Sequence, residues 1–440
     1  MQSIDSLICA QYVIPSFQPY QPLTEHAVAF DQGKIVDILP KEEAQRRYAA
    51  THIYNLNDHL IMPGLINCHN HAAMSLFRGL ADDLALMDWL QNHIWPAEAQ
   101  WVSPSFVKDG ITLAAAEMIR GGTTCFADMY FFPETAGKTI ADIGMRAAMG
   151  LTVIDFPTAW ADNADEYIEK GMSVFETFRD HPLITTMWAP HAPYTVSDEP
   201  LKKLASLAEQ LDIPIQMHIH ETADEVEQAV DKNGLRPLHR LENLGLLSPR
   251  LQAVHMTQLN DEDIDRVKRN GVHVIHCPQS NMKLASGICP VTQLLANDVN
   301  VALGTDGAAS NNDLDMFTEL QTAALLAKVG SMDARSFPAL DVMHAATLGG
   351  AKTLGLDSQI GTLEKGKYAD MIAINMNQLT TSPCYNLASH LVYATNSQQV
   401  EYLWVGGKPL LAAGKLMSID TDALKIRNSR WQEKIIQKGQ

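Results

Sequence analysis

From about residue 58 the chain alternates apolar, strand-like runs with helical stretches, and this alternation limits the possible folds more than any other feature. The runs end near Asn67, Ala127, Asp155, Ala189, His218, His255, His276 and Asp306. Segments such as Ser105 to Arg120, Glu199 to Leu211, Glu221 to Asn233 and Asp261 to Asn270 read as the intervening helices. Apolar strands joined by helices form parallel sheets with both faces covered, and eight such units close a barrel. The rival, an open doubly wound sheet, carries a Gly-rich phosphate loop after its first strand, and none follows Cys68. The expected fold is α/β, a (β/α)8 TIM barrel.

The flanks read differently. Before residue 58, Leu7 to Ala10, Ala27 to Phe30 and Ile35 to Leu39 are strand-like. Asp31-Gln32-Gly33-Lys34 is a hairpin turn, and Lys41 to Ala50 a short polar helix. The β pattern returns in Ala369 to Ile374 and Val400 to Val405, followed by a Gly406-Gly407 turn. The expected organisation is a barrel over residues 58–365 and a small β-sandwich domain built from both chain ends, 1–57 and 366–420. A polar terminal helix over 421–440 completes it.

Composition narrows the function classes. The formal net charge of the 440 residues is -18, which repels phosphate backbones and acidic lipid surfaces, so neither nucleic acid nor membrane is an expected partner. The six cysteines form no CxxC pair and read as reduced thiols of a cytoplasmic protein. Met1 to Asp5 lacks the basic start of a secretory signal, and no apolar stretch reaches the ~18 residues of a membrane span.

Catalytic groups of an eight-stranded barrel gather at the C-terminal ends of its strands. Those ends carry His69 and His71, His191, His218, His220 and Glu221, His255, His276, and Asp306. One such histidine would read as a satisfied core residue; this set, drawn from six strands, points to a metal site. Three histidines and a carboxylate suit zinc, with iron(II) or manganese as alternatives, better than calcium or magnesium. Strand alternation turns His69 and His71 to the same side but does not choose between His218 and His220. Pro278 suggests a structural bend after His276.

The stretches Pro63-Gly64-Leu65-Ile66-Asn67-Cys68-His69-Asn70-His71, His218-Ile219-His220-Glu221, His255 and Gly304-Thr305-Asp306-Gly307 together resemble the amidohydrolase superfamily. More narrowly, they are similar to its branch of 5-methylthioadenosine/S-adenosylhomocysteine deaminases, guanine deaminases and s-triazine hydrolases. The resemblance implies one zinc ion per subunit, held by His69, His71, His218 and Asp306. It implies Glu221 as the acid that protonates a substrate ring nitrogen, His255 as the hydrogen-bond partner of the attacking hydroxide, and Asp306 as an acceptor of its proton. Zinc makes that hydroxide available near neutral pH. The implied reaction is hydrolytic deamination of an amidine-like ring carbon, with ammonia leaving. Chlorotriazine hydrolases have less need of Glu221, so its presence favours deamination.

Trp89 and Glu98 match the family's contacts to a sulfur-bearing tail and to ribose hydroxyls, and His191 matches a substrate-contacting histidine. Ser310 is expected among the substrate contacts, with Glu221 and Asp306. Read alone, Trp89 would be a helix core residue and Glu98 a surface carboxylate; their agreement points to a nucleoside. In one respect the chain departs from the pattern. Met149 stands where the family carries an arginine for an amino-acid tail, and Leu151 to Tyr167 contains no Lys or Arg. Arg146 is assigned to packing. The expected substrate is therefore 5'-methylthioadenosine, with adenosine and S-adenosylhomocysteine behind it. A free-base or triazine hydrolase and a non-catalytic metal-holding barrel are the alternatives. Relatives are often dimers or tetramers, which leaves a homo-oligomer open.

Overall fold

The computed structural model describes residues 1–438. The chain begins with β1 (Gln2–Val13), β2 (Leu23–Asp31), β3 (Lys34–Pro40) and β4 (Tyr48–Pro63). It continues through β5 (Leu65–Asn70), β6 (Thr123–Asp128), β7 (Arg146–Val153), β8 (Ile184–Pro190), β9 (Ile215–Ile219), β10 (Leu251–His255), β11 (His273–His276) and β12 (Val301–Leu303). It ends with β13 (Met371–Asn375), β14 (Val400–Val405), β15 (Lys408–Ala412), β16 (Lys415–Leu416) and a helix, Thr421–Lys438.

Both chain ends contribute to one mixed sheet, in the order β16-β15-β14-β13-β4-β1-β2-β3. The ends meet where β4 and β13 run antiparallel, Met371 opposite Pro63. Residues of β1 alternate between two cores. Ile8 packs with Val28, Phe30 and Trp404, whereas Leu7 and Cys9 pack with Ala27, Ala29 and Tyr48. The apolar run from Leu60 to Cys68 serves two sheets, because Gly64 divides β4 from β5. A Cβ at Gly64 would lie 2.1 Å from the Thr124 side chain, so only glycine lets the chain cross there.

Strands β5 to β12 form the second sheet in sequence order, and every neighbouring pair is parallel. Small and medium apolar residues, among them Ile66, Cys68, Cys125, Ala127, Val254 and Ile275, form an inner core cluster. A larger one includes Phe106, Ile111, Met149, Trp188 and Leu320. Among the described residues no ladder joins β12 to β5. Side chains and single backbone bonds close that seam instead. Asn67 Nδ2 donates to Thr305 Oγ1 (2.7 Å), and Asn67 Oδ1 accepts the Thr305 N–H (3.0 Å). The Asp306 N–H donates to the His69 carbonyl (3.0 Å). Gly304 allows the approach, since a Cβ there would sit 2.8 Å from the His69 nitrogen.

The barrel helices follow the expected segments with one instructive offset, whereas the helix expected over Lys41 to Ala50 ends at Arg47 because β4 begins at Tyr48. The helix expected from Glu221 begins at Ala223, because Thr222 is its N-cap and accepts the Glu225 N–H (3.2 Å). Glu221 is left at the strand–helix junction. Arg146 does more than pack: at the start of β7 its Nε lies 2.7 Å from Asp370 Oδ2 and its other arm 3.2 Å from Oδ1. This buried bidentate pair ties the barrel to the terminal sheet. The terminal helix is pinned to the barrel by Trp431, whose Nε1 donates to Asp109 (2.9 Å). No described helix is long and apolar enough to cross a membrane.

Candidate active site

Nitrogen and oxygen atoms converge at the C-terminal rim of the barrel. Two overlapping groups, His69 with His218 and His255, and His69 with His71 and Asp306, each have their ligand atoms within 4.8 Å of one another. His69 Nε2 and His218 Nε2 are 3.1 Å apart. Asp306 Oδ1 is 3.6 Å from His69 Nε2 and 3.3 Å from His71 Nε2. Two ligands of a tetrahedral zinc, each ~2.0–2.1 Å from the ion, stand about 3.3 Å apart, so the spacing fits. The far ring nitrogens are also committed. His69 Nδ1 donates to Gln216 Oε1 (2.7 Å), His71 Nδ1 to the Met129 carbonyl (2.5 Å) and His218 Nδ1 to the His191 carbonyl (2.8 Å). An oxygen acceptor at Nδ1 fixes the tautomer and turns the Nε2 lone pair toward a cation. Three such imidazoles and one carboxylate fit zinc.

The convergence does not come from simple strand alternation. The β5–β6 register breaks between Asn67 and Asn70, His71 lies just beyond β5, and the His69 and His71 rings cross at 87°. Elsewhere the rim uses left-handed backbone: φ is 55° at His220, 75° at His255 and 62° at Asp306. Such conformations are costly outside glycine and are held by their surroundings. At His220 the turn decides what alternation left open. Its Nδ1 donates to the Gln258 carbonyl (3.1 Å) and its Nε2 accepts the Leu238 N–H (3.2 Å). Both nitrogens are used, and His220 stands outside both ligand groups. His276 is buried and likewise outside them.

Glu221 lines a cavity of ≈ 560 Å³ together with His71, His218, His255 and Asp306. Burial, reinforced by the Asp306 charge, pushes its carboxyl up to about 8, so it keeps a proton at neutral pH. Its Oε2 is 3.6 Å from His255 Nε2. Burial lowers His255 to about 4, and Asn281 Nδ2 stands 2.9 Å from its Nδ1. Burial opposes ionisation of Asp306, but the hydrogen bonds and charges of His69 and His71 outweigh it and hold the carboxyl well below the usual range. Asp306 Oδ2 also accepts the Ser280 hydroxyl (2.6 Å).

Trp89, Glu98 and His191 all line the same cavity. Burial raises Glu98 to about 7 and lowers His191 to about 3. Ser310 is not on the cavity wall. It is buried behind Asp306, its hydroxyl bonded to the Gly307 carbonyl (3.2 Å) and to Ser280 (3.0 Å). Met149 is also off the wall, in the larger core cluster; a Cβ on Gly137 would touch its Cγ at 3.4 Å. Sequence reasoning missed Gln216 and Ser280. Gln216 could have been found, because it precedes His218 by two residues and so shares its strand face. Ser280 lies in the bend that Pro278 suggested was only structural.

The amidohydrolase family model matches residues 60–410, most of the chain. This chain belongs to the amidohydrolase family. The amidohydrolase is 48% identical to a 5-methylthioadenosine/S-adenosylhomocysteine deaminase of Saccharophagus degradans, over 98% of this chain and 97% of that one. It is 46% identical to the protein of the same name from Teredinibacter turnerae, over 98% of each. Among solved structures, a zinc-bound adenosine deaminase from Xanthomonas campestris matches with a TM-score of 0.98 and 48% identity, covering 99% of both chains. The zinc-complexed atrazine chlorohydrolase of Arthrobacter aurescens has a TM-score of 0.90 at 19% identity, over 97% of this amidohydrolase and 99% of that chain, and shares the fold alone.

Proposed function

We propose that this amidohydrolase is a zinc-dependent nucleoside deaminase that converts 5'-methylthioadenosine to 5'-methylthioinosine and ammonia. The observation that carries the reading is the buried Glu221 carboxyl, 3.6 Å from His255 Nε2 and on the wall of the cavity that also presents His71, His218, Asp306, Glu98 and Trp89. In this reading His69, His71, His218 and Asp306 hold zinc, which when bound makes hydroxide available near neutral pH. Glu221 delivers its proton to a ring nitrogen of the adenine and so makes the amino-bearing carbon electrophilic. His255, kept neutral by burial, hydrogen-bonds the attacking oxygen. Asp306, ionised before the attack, accepts its proton and passes it to the departing amine, which leaves as ammonia. His191 faces the ring, Glu98 accepts from the ribose hydroxyls, and Trp89 packs the 5' substituent. The names of the relatives from Saccharophagus degradans and Xanthomonas campestris support both the metal and the nucleoside.

No Lys or Arg is found among the described residues lining the cavity, which favours 5'-methylthioadenosine and adenosine over the charged tail of S-adenosylhomocysteine. A free base such as guanine, or a triazine, would leave the Trp89 end unfilled. The unpaired cysteines support a cytoplasmic location. The test is incubation of zinc-replete enzyme with 5'-methylthioadenosine, reading loss of adenine absorbance and release of ammonia. Absence of turnover with 5'-methylthioadenosine, adenosine and S-adenosylhomocysteine alike would overturn the proposal; guanine and chlorotriazine arms would then identify the alternative.

A further inference from the structure

The segment that carries Trp89 is not an ordinary helix. Trp89–Ile94 is a π-helical turn that runs directly into the α-helix Trp95–Trp101, and the Trp95 N–H donates to the Leu90 carbonyl five residues back. In an α-helix, at about 100° per residue, positions five apart point about 140° away from each other. Here Trp89 and Ile94, and Leu90 and Trp95, are five apart, and all four line the cavity. After the turn the lining positions revert to α spacing, Trp95, Glu98 and Val102. The wide turn thus puts an apolar wall and the Glu98 carboxylate on one surface.

That wall continues outward to a partly exposed rim. Trp89, Leu90 and Ile94 are buried, Trp95 is half-buried, and Phe156 at the rim is 37% exposed. The Trp95 and Phe156 rings are 5.8 Å apart. The ionisable wall residues are carboxyls (Glu98, Glu221 and Asp306), histidines and the tyrosines Tyr130 and Tyr194, with no Lys or Arg among them. Lysines on the flanking segments are already engaged. Lys283, beside the lining residue Leu284, is held by Asp82 (2.5 Å), and Lys170 by Glu166 (2.7 Å). A carboxylate brought to this wall would lose water and gain no cation.

We infer that the π-helical turn Trp89–Ile94 and the Trp95–Phe156 rim form a sleeve for uncharged apolar 5'-thioether substituents much larger than methyl, so that aryl- and alkylthioadenosines are substrates. The inference rests on the deaminase reading above. Its experiment compares kcat/KM for adenosine, 5'-methylthioadenosine, 5'-benzylthioadenosine and S-adenosylhomocysteine with the zinc-loaded enzyme. The benzylthio compound is expected within about tenfold of the methylthio one, and S-adenosylhomocysteine roughly 100-fold below both. No turnover of 5'-methylthioadenosine would remove the deaminase reading itself. Normal turnover of it, with 5'-benzylthioadenosine more than about 100-fold slower or S-adenosylhomocysteine equal to it, would overturn this inference alone.

Two variants test the structural cause. Deleting Asn92, an exposed residue of the π turn, restores α register and rotates Trp89 and Leu90 by about 100° relative to Glu98. The ratio of benzylthio to adenosine kcat/KM should fall by about 100-fold. An equal loss on both substrates, with zinc content and circular dichroism unchanged, would refute the register argument. Trp95→Arg places a cation at the rim and should invert the order of S-adenosylhomocysteine and 5'-benzylthioadenosine. An unchanged order would refute the sleeve.

Discussion

Replacing Glu221 with Gln keeps the shape of the side chain and removes its transferable proton. Because burial and the Asp306 charge push the carboxyl up to about 8, Glu221 is about 90% protonated at pH 7 and about 10% at pH 9. The sign follows from that shift: the acid is competent below about 8 and lost above it, so kcat/KM of the parent enzyme should fall about tenfold per pH unit on the alkaline side. Loss of a positioned acid costs about 10²–10⁴-fold, or about 3–5.5 kcal/mol of barrier. Glu221→Gln should therefore lower kcat/KM for 5'-methylthioadenosine by that factor and flatten the alkaline limb. Zinc content should not change, since Glu221 belongs to neither ligand group. The assay is deamination followed from about pH 6 to about pH 10, with zinc measured on the same samples. Activity within about threefold of the parent would refute the role of Glu221 as acid. A persisting limb near pH 8 would assign that titration to another group.

Two further outcomes follow from groups behind the site. Gln216→Leu removes the acceptor of His69 Nδ1 and should weaken zinc binding by about 10–100-fold in a chelator competition, and an unchanged affinity would refute an orienting role. Arg146→Met leaves the buried Asp370 carboxylate with the Gly406 N–H but no cation, and should lower unfolding stability by about 3–5 kcal/mol in denaturant melts while sparing kcat/KM; unchanged stability would contradict the bridge.

The barrel strands were legible as apolar runs separated by helical stretches, and the rim histidines were legible because they sit at or just past the ends of those runs. What alternation could not supply was direction. It places side chains only while the backbone stays extended, and His220, His255 and Asp306 all leave the strand in left-handed conformations. His220 thus turns away from His218, a separation that the family resemblance implied but that strand geometry alone did not. Ser310, expected among the substrate contacts, is folded back by the turn after Asp306, its hydroxyl donating to the Gly307 carbonyl. The π-helical turn was invisible for a different reason. Trp89 and Leu90 fit an ordinary amphipathic pattern, and only the hydrogen bond from Trp95 to Leu90 reveals the extra residue. The Arg146–Asp370 pair spans 224 positions, and no local pattern announces it.

The unladdered seam between β12 and β5 has a consequence for the apoprotein. His69 and His71 belong to one side of it and Asp306 to the other, so a cation held by all three is a cross-link between the first and last strands of the ring. Loading the metal and completing the circle are then a single equilibrium. A ligand present at about 1,000 times its Kd adds about 4.1 kcal/mol to the state that binds it, and here that state is the closed barrel. Chelation would leave Asn67, Thr305 and one backbone bond to hold the join. The metal-free chain would breathe first at this join, between the first and last strands of the barrel in order of synthesis.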